Sequence, residues 1–197
     1  GFQSDVPVLG IQLENGELVA ELEGDGSIDT RAKVGSGEGS LELSGRSPSL
    51  GELDLAVRGD RFLAANFPAA HLIVSPDLTL TGSPQNLALG GSITIPRATV
   101  DLDKMTNQGG AQISPDVVVI DRPERQARQR LAMHTDVRVV LGRDVKLTGF
   151  GLDATDAGQL RVVERPGSPS TGSGEIRLDG TYEAFGRKLA IERGQML

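Results

Sequence analysis

Apolar side chains recur at every second position through most of this chain, in short runs separated by turn-forming residues. Leu53, Leu55 and Val57 form one such row, and Leu78 with Leu80 forms part of another. Successive side chains of an extended strand point to opposite faces, so this alternation predicts strands with one face kept from bulk water. Turn signals fall roughly every ten residues, the spacing of an all-β chain. One row is broken. In FGLDATDAGQLRV, Phe150, Leu152, Ala154, Asp156, Gly158, Leu160 and Val162 share a face, and a carboxylate stands among the aliphatics.

The same reading sets the organisation. VLGIQLENGELVAELEG is expected to form two strands around a tight hairpin at Asn15-Gly16, a dipeptide that accepts positive φ. Alternation lapses between Lys104 and Met133, which reads as a long crossover loop (104–133). VVERPGSPSTGSGE reads as a flexible hairpin loop over 164–174. A loose repeat links GELDLAVRG, GSITIPRATVDL and GEIRLDGTYEAFGRKLAI, each a Gly, alternating aliphatics, a turn residue and a second strand. No such unit buries its apolar face alone, so neighbours must pair edge to edge. The expectation is one β segment over 1–197, with roughly a dozen strands at about 4.8 Å spacing extending on the order of 55–60 Å.

Composition sharpens this picture. The 26 Gly and 10 Pro suit many turns, and no amphipathic helix of ordinary length is visible. With 5 Phe, 1 Tyr and no Trp, the apolar surface is aliphatic. The net charge of -7, with no basic cluster beyond RPERQARQR, argues against nucleic acid as the main partner. The absence of cysteine removes disulfides and thiolate chemistry without identifying a compartment. The longest aliphatic run, Val117 to Ile120, is far short of the roughly 20 residues of a spanning helix. The abrupt ends read as those of a piece of a longer chain.

Little in the chain suggests catalysis. His71 and His134 stand alone, without partners at metal-ligand spacing. GSGEG and TGSGE lack the Lys-Ser/Thr and following helix of a phosphate cradle, so they read as turns. Glu52, Asp54, Glu175, Arg177 and Asp179 alternate with apolar residues and belong to a solvent face. No enzyme, cofactor or metal is expected. What remains is the apolar face, which two arrangements could use: a closed sandwich with an ordinary core, or a single curved sheet whose concave aliphatic face stays partly open. Periodicity alone favours the sandwich.

A resemblance changes that balance. GSITIPRATVDL, SPDVVVI, VRVVLGRDVKLTGFGLDATDAGQLRV and GEIRLDGTYEAFGRKLAIERGQML, in this order and spacing, resemble the C-terminal region of the TamB family of periplasmic envelope proteins, related to the AsmA-like group. The resemblance implies a long antiparallel sheet curved lengthwise into a U-shaped trough with an aliphatic concave interior, along which phospholipid passes from inner to outer membrane. It implies an N-terminal inner-membrane helix outside this segment and an outer-membrane barrel partner of the TamA type, met through the C-terminal part. A role as a scaffold or chaperone for outer-membrane β-barrel assembly is the alternative. The lining it implies comprises Ile93, Ile95, Val100, Leu102, Val145, Leu147, Phe150, Leu152, Ala154, Asp156, Leu160, Val162, Ile176, Leu178, Tyr182, Leu189 and Ile191. Asp156 departs from the family pattern, where an aliphatic residue, commonly Leu, is usual. It reads either as a tolerated variant or as a replacement that blocks the apolar path.

Overall fold

The alternating runs become strands in the computed structural model, which describes residues 2–49, 51–83, 85–108, 132–184 and 187–196. In chain order these are β1 (Phe2–Val6), β2 (Ile11–Leu22), β3 (Ile28–Ser36), β4 (Gly39–Ser47), β5 (Leu53–Asp60), β6 (Phe62–Phe67), β7 (Ala70–Ser83) and β8 (Asn86–Asp101). A short helix, α1 (Leu102–Gln108), precedes β9 (Met133–Gly149), β10 (Leu152–Glu164), β11 (Thr171–Ala184) and β12 (Arg187–Met196). They form one open, unclosed sheet in the order β1-β2-β3-β4-β5-β7-β8-β9-β10-β11-β12, with β6 paired to β7 off this path. Ten intervals between eleven strands at about 4.8 Å give an extent of about 48 Å, shorter than counting every strand in line.

Several local expectations are corrected. Asn15-Gly16 is not a hairpin turn: β2 runs straight through it, and the register slips there against both β1 and β3. Asn15 takes φ 52, and a Cβ on Gly16 would lie 2.4 Å from the Phe2 ring, so the dipeptide makes a bulge under an aromatic side chain. The first hairpin turns instead at residues 7–10, where Gly10 has φ 64. GSITIPRATVDL holds no turn either; β8 continues past Pro96 with an irregularity between Ile95 and Arg97. The loop placed at 164–174 is shorter, because β10 extends to Glu164 and β11 begins at Thr171.

The sheet is also not wholly antiparallel. β8 and β9 run parallel, from Leu87↔Met133 to Asp101↔Thr148. Parallel neighbours need a connection that carries the chain back along the sheet, and the long segment between Leu102 and Met133 supplies it. Of that crossover, α1 occupies 102–108, while 109–131 lie outside the described residues, including the arginine-rich RPERQARQR.

Register irregularities recur on neighbouring strands: Ile73/Ser75 between β7 and β8, Ile95/Arg97 between β8 and β9, Asp156/Gly158 between β9 and β10, and Leu178/Gly180 between β11 and β12. Bulges bend strands and raise local twist, and these four fall at neighbouring register positions, with β10 and β11 in unbroken register between the last two. Ala98, Val145 and Ala154, all buried, lie beside these positions. At the other end, β6 departs from β5 at Arg61 (φ 47) and packs against β2, β3 and β4, burying Phe62 and Ala65. There Asn66 N donates to Leu9 O at 2.8 Å and Ser36 Oγ to Leu63 O at 2.9 Å.

Candidate functional site

Cross-strand partners share a face, so the registers trace which side chains meet. Leu18, Ala32, Leu43, Val57, Leu78, Gly91, Val137, Val162 and Gly172 follow one another across the sheet from β2 to β11. This row is aliphatic or glycine throughout. One member of the row reaches a core-like environment, Val137 at 5% exposed, whereas Leu43, Val57, Leu78 and Val162 are half-buried and Leu18 is 67% exposed. A face-to-face sandwich would bury such a row. The closed alternative is therefore excluded by the unclosed sheet and its half-open aliphatic side.

The residues assigned to the lining are brought together as follows. Ile93 and Ile95 on β8 pair with Val139 and Leu141 on β9, and Val100 pairs with Leu147. Leu147 meets Ala154, Val145 meets Asp156, and Leu160 and Val162 meet Val139 and Val137. Across β10 and β11, Leu152 pairs with Tyr182, Asp156 with Leu178, and Gly158 with Ile176. β12 brings Leu189 opposite Tyr182 and Ile191 opposite Gly180. Two residues lie apart from these pairings. Phe150 stands in the β9–β10 turn at φ 51, 59% exposed, with its N–H donating to Asp103 Oδ1 at 3.1 Å. Leu102 opens α1. The face also extends further than the assigned lining, through Leu41, Leu43, Leu55, Val57, Leu78, Leu80 and Leu89 toward the N-terminal strands. The same alternation signalled these residues.

Asp156 sits inside this face. Its flanking partners are Val145 and Leu178, and Ala154, two residues before it, is 2% exposed. Its Oδ1 is buried without a hydrogen-bond partner. Burial pushes its carboxyl above the ordinary carboxylate value, because the charged form loses water.

The opposite face is a charge ladder. Glu17, Lys33, Glu42, Arg58 and Asp77 are successive partners, followed by Ser92, Arg138 and Arg161. Lys33 Nζ lies 2.6 Å from Glu42 Oε1, and Arg161 contacts both Asp136 oxygens at 2.7 and 2.5 Å. That guanidinium holds the Asp136 carboxyl below its usual range. A cavity of ≈ 610 Å³ on this side is lined by Asp77, Ser92, Asp136, Arg138 and Arg161, among others. Its carboxylates are paired with arginines, which leaves no group poised as a general base. His71 Nδ1 is 3.2 Å from Asn66 Oδ1. Among the described residues, no three His, Cys, Asp or Glu side chains converge on a metal-sized site, and no helix is long and apolar enough to cross a membrane.

Comparison with known proteins agrees with this architecture. Residues 26–197 match the family model described as the TamB C-terminal domain. The translocation and assembly module subunit TamB of Haemophilus influenzae is 24% identical over 201 residues, an alignment covering 93% of this chain and 15% of that protein. The chain thus spans a small part of the curated relative's length. No solved structure matches.

Proposed function

As this chain belongs to the TamB C-terminal domain family, we propose that it is a lipid-conduit segment of a translocation and assembly module in a two-membrane envelope. Phospholipid acyl chains lie along the aliphatic face while head groups stay in water. The observation that carries this reading is the half-open aliphatic row running from β2 to β11. An exposed apolar face of this size is costly unless something covers it. Each methylene laid on it contributes about 0.8 kcal/mol. The neighbouring bulges, which bend strands, support a sheet folded lengthwise into a trough around that face. The full-length protein is then periplasmic, held to the inner membrane by a helix outside this segment, and it passes lipid toward a TamA-like outer-membrane barrel.

A photo-crosslinking amino acid placed at Val139 or Leu160 tests this, with Arg138 and Arg161 on the charged face as controls. Phospholipid captured at the aliphatic positions and not at the charged ones is expected. Equal capture on both faces, or none on either, overturns it.

A second reading rests on the open sheet. Among the described residues, β12 pairs only with β11, so its other edge is free to template a strand of an outer-membrane protein through main-chain hydrogen bonds. In that case a crosslinker on the β12 edge captures protein, and the aliphatic face captures nothing.

A further inference from the structure

We propose that Asp156 is an amine-recognition point on the aliphatic face, selecting amphiphiles whose polar group carries a primary ammonium. This rests on the reading of that face as a lipid surface and names the class of lipid it favours.

The geometry is that of one charged acceptor in an apolar setting. Asp156 lies in the register row Ala98, Val145, Asp156, Leu178, with Val145 7% and Ala98 3% exposed. Val145 faces it from β9, Leu178 from β11, and Ala154 and Gly158 lie along its own strand. None of these titrates. Ion pairs hold Glu42 and Asp136 on the charged face, yet Asp156 Oδ1 is buried with no hydrogen-bond donor. A buried acceptor left unsatisfied is destabilising, because it has given up its hydrogen bond to water for none in return. Asp156 as a whole is half-buried, so rotation of its carboxyl turns Oδ1 toward the open side, where a ligand that brings a donor satisfies it and one that brings only methylenes does not.

Ligand chemistry narrows the choice. A hard divalent cation needs six or more oxygen ligands, and the neighbouring side chains offer none. A quaternary ammonium has no N–H to donate and is ordinarily held by an aromatic cage; the residues flanking Asp156 are aliphatic. A primary ammonium donates a charge-assisted hydrogen bond, the stronger kind, while its chain lies on Val145, Leu178 and the rows beyond. A soluble amine has no chain to bury and gains little.

The test uses the whole chain and three ligands of one chain length below their micelle concentrations: decylamine, decyltrimethylammonium and decan-1-ol, with ethanolamine as the chainless amine. Displacement of an apolar fluorophore reports binding. Decylamine is expected to bind about tenfold more tightly than decan-1-ol, with decyltrimethylammonium close to the alcohol and ethanolamine without effect. In Asp156→Asn and Asp156→Leu the amine preference should vanish while the alcohol still binds. The leucine variant completes the apolar row and so keeps the fold. If decan-1-ol binds but decylamine binds no better, or if the preference survives both substitutions, the inference is wrong and the lipid surface stands. If none of the chain-bearing ligands binds, the lipid surface falls and takes this inference with it.

Discussion

At the scale of single residues, Asp156 concentrates the tension between folding and function. Its carboxyl is raised above the ordinary value of 3.8 by burial, so the folded state holds its proton more tightly than the unfolded chain does. The favourable difference is fully present below the unfolded value and is lost as pH rises through the folded one. Asp156→Asn removes this dependence. The variant should therefore gain on the parent as pH rises from about 4 to 7, read from urea midpoints at each pH. Asp156→Leu should raise stability at pH 7 by about 1–2 kcal/mol through added apolar burial. A flat difference between Asn variant and parent across that range would mean the carboxylate reaches water freely. Asp25 behaves in the opposite way. Ser27 donors, then Arg46, lower its carboxyl to about 2, so its contribution to the β2–β3 turn persists into acid and fades only below the ordinary carboxylate range.

At the scale of elements, glycine placement decides how strands approach. Gly158 has φ +149, and a Cβ there would lie 2.1 Å from Glu175 O on β11. Gly172 lies on the same face of the same pair of strands with nothing within 4 Å of its Cβ position. Gly158→Ala should cost about 1–3 kcal/mol, whereas Gly172→Ala should stay within about 0.5 kcal/mol. Equal melting temperatures for the two variants would contradict the close β10–β11 approach. The elements also show where a sequence signal has two outcomes. Asn15-Gly16 supplies the positive φ of a hairpin or of a bulge equally well. Which one forms depended on β1 and β3 pairing along both edges of an unbroken β2. The β8–β9 orientation was similarly hidden, because alternation reads the same in both directions along a strand.

At the scale of the whole molecule, the open sheet leaves much of its aliphatic row only half-buried among the described residues. An apolar fluorophore should brighten on mixing with the folded protein and dim through the same cooperative transition that circular dichroism follows on unfolding. A closed core would give no gain before unfolding begins. The strand content and the place of Asp156 among aliphatic neighbours were legible in the sequence, since a period of two assigns each side chain to a face from local geometry alone. The family resemblance was legible too, in the order of the motifs from residue 91 onward. Tertiary structure alone decided that the sheet stays open, that β8 and β9 run parallel, that bulges fall at neighbouring register positions, and that Phe150 leaves the face at a turn. These depend on which strands pair and in which register. Pairing is a contest among edges far apart in the chain, and a strand's own alternation carries no record of the partner that wins it.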